Sequence, residues 1–258
     1  MKTPDLGKPS MTVVPDLSRS FREPRALRSG LLTGFTWVIA VVASVPLFSV
    51  LYMLIVQGGS RLGLELFTEL PPAGFEMGGG FGNAILGTLV MVGIAALISV
   101  PIGILAAAYL AELGTNSKLA EAARFLAKVL TGFPSILAGV FAYAAVVLLM
   151  GTYSAIAGGI ALSVLMLPTA MPGILTGVML AVAGAAGESA PLLFTALFSN
   201  YWLNSLHEPT ASLSILIFNF SGMPFENQIE LAWAASLVLV LIVLFFNILS
   251  RLIGRPKV

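Results

Sequence analysis

The sequence predicts an all-α polytopic membrane protein with about six transmembrane helices. Three observations predict it. Apolar residues fill 58% of the 258 positions and charged residues only 10%, with a mean hydropathy of +0.99. A soluble domain carries about 25% charged residues, so this chain cannot solvate a surface of its size, and neither an ordinary soluble enzyme nor a disordered protein fits. Long runs carry no charge, each close to or above the roughly 20 apolar residues that a crossing helix needs. The cations are also sorted: on a six-span reading, twelve of the 13 Lys and Arg fall on one side.

Composition excludes several kinds of chemistry. The net charge of +1 gives no basic field to recruit nucleic acid. With no Cys and one His there is no thiolate and no multi-histidine metal site. The phosphate-binding pattern G-x-x-x-x-G-K-[ST], the elbow G-x-S-x-G and the pair H-E-x-x-H are all missing from the sequence. The chain is therefore expected to hydrolyse no nucleotide itself, and to need no metal and no cofactor.

Residues 1–29 read as a polar basic tail, with Arg19, Arg22, Arg25 and Arg28 close together, suited to anionic lipid. Residues 30–258 read as the transmembrane domain. Its first span, residues 30–56, holds no charge. An acidic Gly-rich loop with Glu65, Glu69 and Glu76 follows. The second span covers residues 82–111 and contains Pro101, which membrane helices tolerate, usually with a kink. Asn116 or Ser117 can cap the next helix, on which Lys118, Glu121, Arg124 and Lys128 recur at helical spacing. That polar face reads as the lead-in to the third span at the headgroup level, continuing through Phe133-Pro134-Ser135 to about residue 150.

Residues 154–187 are uncharged, broken only by Pro168-Thr-Ala-Met-Pro172-Gly173. As one helix they would be about 51 Å long, against a hydrocarbon core of about 30 Å. As a hairpin, the first arm is short. Charge decides: the hairpin leaves all cations but Arg61 on one side, and a single span would put three of them outside. Lys and Arg stay cytoplasmic, so six spans with both termini inside are expected. Residues 200–228 read as a packed or interfacial loop, since the apolar run 213–218 is too short to cross. The last span covers residues 229–253.

Glu188 and Ser189, at the end of the fifth span, and Ser135, in the third, are the candidates for a substrate pathway. An ionisable group at membrane depth is a functional candidate by default, though Glu188 fits an interfacial placement as well. Pro101, Pro134, Pro172, Gly173 and Pro191 read as helix breaks or packing points, and Gly158-Gly159 permits close helix approach.

Local sequences carry a resemblance beyond composition. Leu130-Thr-Gly-Phe-Pro-Ser-Ile-Leu-Ala-Gly139 resembles the third-span motif of phosphate ABC-importer permeases. Pro172-Gly-Ile-Leu-Thr-Gly-Val-Met-Leu180 and Gly187-Glu-Ser-Ala-Pro-Leu-Leu-Phe-Thr-Ala196 resemble that family's fifth span and its exit. Residues 208–218 and 231–237 resemble its last loop and span. The motifs lie between residues 130 and 237, and the likeness as a whole covers about residues 30–254 and favours the PstA-type subunit.

The resemblance implies a type I ABC importer permease fold in a bacterial inner membrane. It implies a second, PstC-type permease, an ATPase dimer and a periplasmic phosphate-binding protein as partners, with phosphate crossing by alternating access. It also marks two departures. The family carries a long cytoplasmic loop with an ATPase-docking helix between spans four and five. Here Leu167-Pro-Thr169 resembles the sequence before that loop and Ala170-Met-Pro-Gly173 the sequence after it, so the two abut. The family usually has Arg where Gly184 stands, four residues before the Glu matched by Glu188. A chain without the docking helix is expected to couple poorly to its ATPase. A non-transporting structural or regulatory subunit, and a permease for sulfate or molybdate, stay open as alternatives.

Overall fold

A computed structural model describes residues 24–113, 117–170 and 175–253. Its helices are α1 (Pro24–Ser60), α2 (Glu65–Thr68), α3 (Gly82–Ala108), α4 (Lys118–Thr131), α5 (Ser135–Met150), α6 (Ala155–Ala170), α7 (Leu175–Gly187), α8 (Ala190–Leu193), α9 (Leu213–Ser221) and α10 (Glu226–Ile253). No strand occurs among the described residues.

The chain divides into two units at Leu51. The described part of the first is α1 as far as that residue, with Pro46 inside it. Its apolar side chains occupy the whole circumference, the pattern of a membrane span rather than of a surface helix. Helix begins at Pro24, ahead of the uncharged run. Residues 24–29, expected to belong to the basic tail, are therefore helical, and residues 1–23 lie outside the described residues.

The second unit, Tyr52–Val258, holds the packed core. Small residues bring its helices together. A Cβ at Gly159 would stand 2.5 Å from Ile94 Cγ2, and one at Gly158 2.6 Å from Met91 Sδ, so α6 lies against α3 where only glycine fits. At Gly58 the same construction meets the Trp233 carbonyl at 2.7 Å, seating the end of α1 on α10. One buried cluster joins Leu66 and Phe81 to Leu213, Leu216, Phe220 and Leu231. A second joins Met91 and Ala95 to Leu162, Met166, Ala185 and Ile215.

The six apolar segments expected from the sequence are all helical. Three helices, covering Arg28–Ser60, Gly82–Glu112 and Glu226–Leu249, are long and apolar enough to cross a membrane. Pro101 sits inside α3, which runs on through it and ends in a π-helical turn, Tyr109–Leu113. The single-helix reading of residues 154–187 fails. The segment forms two helices, α6 and α7, packed on each other and joined through residues 171–174, which include Pro172 and Gly173 and lie outside the described residues. At 1.5 Å per residue they measure about 24 Å and about 20 Å, short of a hydrocarbon core of about 30 Å.

The third segment differs from the continuous span expected. It breaks between Thr131 and Ser135, and α4 and α5 meet at 110°. Pro134 takes an extended backbone, ψ 131°, as N-cap of α5, and α4 closes at Gly132, whose N–H reaches the Lys128 and Val129 carbonyls. A proline in mid-helix would have cost a hydrogen bond and kinked the helix. Here both helices end at the Gly-Phe-Pro turn instead. Ser117 caps α4 as expected, its Oγ accepting from the Leu119 N–H at 3.2 Å. Asn116 lies outside the described residues.

Candidate functional site

Glu188 follows α7 and is half-buried. It borders a cavity of about 160 Å³ with Met166 and Thr169 of α6 and Leu180, Gly184 and Ala185 of α7. The Gly184 face is open: a Cβ there would meet nothing within 4 Å. No ion pair to Glu188 occurs among the described residues, where Arg61–Glu230 is the single salt bridge.

The backbone around Glu188 is held firmly. Its N–H donates to the Ala185 carbonyl, and its own carbonyl accepts from Ser214 Oγ at 2.9 Å. Ser214 Oγ lies 3.1 Å from Ser212 Oγ, which caps α9 by accepting from the Ile215 N–H. Thr88 Oγ1, on α3, accepts from the Leu213 N–H at 2.9 Å and donates to the Ala84 carbonyl. Three elements far apart in sequence thus meet through buried hydroxyls. Buried hydroxyls need such partners, because an unpaired one costs about 1–3 kcal/mol.

Ser189 is the N-cap of the short helix α8, and its carbonyl accepts from the Leu192 and Leu193 N–H groups. Pro191 opens that helix and is buried. A Cβ at Gly139 would stand 2.6 Å from Pro191 Cα, so α5 and α8 meet at these two residues. Ser135 is one turn before that contact, and no side-chain hydrogen bond joins it to Glu188 or Ser189 among the described residues. Glu188, Ser189 and Pro191 form one corner, therefore, with Ser135 on the neighbouring helix.

Thr88, Ser212 and Ser214 escaped the sequence reading. Only Ser212 carried a local signal, as a capping residue before an apolar run. A second group also went unread. Arg61 Nη2 donates to Asn227 Oδ1 at 2.7 Å, and Asn227 Nδ2 donates to the carbonyls of Glu76 and Gly78. This clasp ties the loop after α2 to the start of α10. Beside it in sequence, but apolar throughout, a groove of about 810 Å³ runs past Leu62, Phe67, Leu89, Leu241 and Phe245. With no ionisable lining it offers nothing to an ionic substrate.

Chemically, the Glu188 corner offers hydroxyls, peptide dipoles and one carboxylate. It offers no cation, since no Lys or Arg occurs between Lys128 and Arg251. A carboxylate repels an anion, so any anion passing here would be held by the dipoles and not by Glu188.

Comparison with known proteins identifies the family. No family model matches the chain. It is 36% identical to the phosphate transport system permease protein PstA of Yersinia pestis, over 88% of this chain and 87% of that protein. It is 35% identical to PstA of Haemophilus influenzae, over 90% of this chain and 96% of that protein. PstA of Pasteurella multocida is 36% identical with the same coverage. The alignments run over 265 and 271 positions for the first two, although they take in only 88% and 90% of a 258-residue chain. About forty positions of each alignment therefore face no residue here. With this identity over nearly the whole length, on an all-helical chain rich in spanning helices, the chain belongs to the PstA permeases of phosphate transport systems.

Proposed function

We propose that this protein is the PstA-type transmembrane subunit of an ATP-driven importer of inorganic phosphate in a bacterial inner membrane. The observation that supports it most is the similarity to PstA proteins across almost the full length of both partners. The chain pairs with a PstC-type permease. An ATPase dimer binds below, and a periplasmic phosphate-binding protein delivers substrate from above. ATP is hydrolysed in the ATPase subunits, in keeping with the missing nucleotide-binding pattern. Both termini face the cytoplasm, from the asymmetry of Lys and Arg.

Phosphate enters the bundle as an anion that has lost part of its water. Dipoles or cations must replace that water. Ser189, Ser135 and the peptide groups around them supply dipoles from this chain, and Glu188 shapes the corner that carries them. Pro134 ends the break before α5 and Pro191 makes the contact with α5 beside it, whereas α3 runs unbroken through Pro101.

The connection between α6 and α7 sets this chain apart. Only residues 171–174 separate the two helices, too few for a stable docking helix. The roughly forty unmatched positions are of the size of the family's cytoplasmic loop, and we place the gap between Thr169 and Ala170. Stable docking contacts bury about 1,200–2,000 Å² in total, which six uncharged residues, 168–173, cannot provide. The subunit therefore assembles with its permease partner and transmits ATPase closure poorly. Coexpression with a tagged PstC-type permease tests the assembly: the two should purify together in detergent. A chain that never accompanies that partner would overturn the assignment as a paired subunit.

A further inference from the structure

We propose that α4 is an in-plane anchor that binds anionic phospholipid on the membrane face opposite Arg61. The geometry comes first. If α5 crosses the bilayer, a helix turned from it by 110° runs close to the membrane plane. The first half of α4 is tied to the π-helical turn that ends α3. Tyr109 Oη lies 2.9 Å from Ser117 Oγ, and Arg124 Nη2 donates to the Leu110 carbonyl at 3.3 Å.

The circumference of α4 divides into three sectors. Ala120 is buried, with Ala123, Ala127 and Leu130 half-buried beside it, and the helix packs on α6. Leu119, Phe125, Leu126 and Val129 form an uncovered apolar stripe, exposed by 66%, 65%, 58% and 44%. Arg124 and Lys128 lie on the remaining side with Glu121, and Lys118 stands at the helix start. A helix in the plane at the edge of a bundle has three neighbours: protein beside it, acyl chains below and water above. The three sectors match those three neighbours. A strong polar face with Lys and Arg, opposite Leu and Phe, is the pattern of interfacial helices.

Charge selects the lipid. Lys118, Arg124 and Lys128 outnumber Glu121 three to one on this helix, so anionic headgroups are favoured over zwitterionic ones. Each cation near an anionic surface contributes about 1 kcal/mol. Three of them, offset in part by Glu121, leave an enrichment of more than about tenfold. Because α4 packs on α6, whose Met166 and Thr169 border the Glu188 cavity, lipid held by α4 steadies one wall of the candidate site. The proposal rests on the membrane orientation proposed above only for which leaflet α4 meets.

The full chain has no Cys, so single nitroxide labels can be placed without background. The protein is reconstituted in sealed vesicles of phosphatidylcholine with about one-third phosphatidylglycerol, which gives a negative surface potential. Labels at Leu119→Cys and Leu126→Cys should collide with dissolved oxygen and resist an aqueous nickel chelate. A label at Lys128→Cys should do the reverse. Nickel-accessible labels at 119 and 126 would overturn the anchor. Lipid-buried labels whose neighbour at 128 is reduced by external ascorbate, in vesicles of known protein orientation, would keep the anchor and overturn only the orientation. Co-purified phosphatidylglycerol should fall about tenfold in Lys118→Gln, Arg124→Gln, Lys128→Gln. An unchanged lipid content would refute the anionic preference. Oxygen-accessible labels that become protected only when the ATPase is added would assign the stripe to a protein partner instead.

Discussion

Gly184 gives the sharpest test of how the Glu188 corner is built. Replacing Gly184 by Arg introduces a side chain where a Cβ meets nothing within 4 Å and where a cavity of about 160 Å³ already opens toward Glu188. Two gains are expected. Gly in a helix interior is about 0.8–1.0 kcal/mol less favourable than a good helix former, and Arg is one of these. A cation in the last turn of α7, with a carboxylate just beyond the helix end, adds about 0.3–1 kcal/mol at a partly exposed site. The total is about 1–2 kcal/mol, or a rise in melting temperature of about 2–8 °C for a chain of this size. Gly184→Gln supplies the first gain without the charge, so the difference between the two variants isolates the pair. Glu188→Gln should change little alone, and should cost about 0.5–1 kcal/mol in the Gly184→Arg background. Thermal unfolding of the four single and double variants in detergent gives the coupling directly. Zero coupling, or a large loss from Glu188→Gln alone, would show that Glu188 has another partner.

Gly159→Val should be strongly destabilising, by about 1–3 kcal/mol, because its Cβ would strike Ile94, whereas Gly93→Ala on the facing helix meets open space and should be neutral or slightly stabilising, as unfolding by the same assay will show. Ser212→Ala removes the cap of α9 and should cost about 1 kcal/mol, with the accompanying loss read as faster amide exchange at Ile215. Single cysteines replacing Ser60 and Ser205 should react with an impermeant maleimide in intact cells, and one replacing Ser10 should not. Reaction at Ser10 would reverse the orientation.

The parts legible in the sequence are those written as runs of residues. Charge-free stretches located the apolar helices, and the cation asymmetry selected the α6–α7 hairpin over one long helix. Residue type alone narrowed the cap of α4 to Asn116 or Ser117. Pro134 reads in the sequence as lying inside one continuous span, and the chain instead breaks there. A proline inside an apolar stretch suggests a kink, and only the company of Gly132 turns it into the end of one helix and the start of another. The contacts that build the Glu188 corner left no local trace. Thr88 and Leu213 are 125 residues apart, and Ser214 reaches Glu188 across 26. Nothing in the spacing of hydroxyl residues says which will meet once helices pack. Arg61 stood out as the single cation on its side, yet its partner Asn227 lies 166 residues away, and asparagine in a polar stretch draws no notice.

The proposal above is that a PstA subunit with only residues 171–174 between α6 and α7 transmits ATPase closure poorly. It is tested most directly by phosphate uptake into proteoliposomes that contain this chain, a PstC-type permease, the ATPase and the binding protein. Uptake driven by ATP should sit at background with the unmodified chain and rise clearly once a family-type loop is inserted between Thr169 and Ala170. Robust ATP-driven uptake by the unmodified chain would contradict the claim, and would mean that closure is transmitted through the partner permease or through another face of this one.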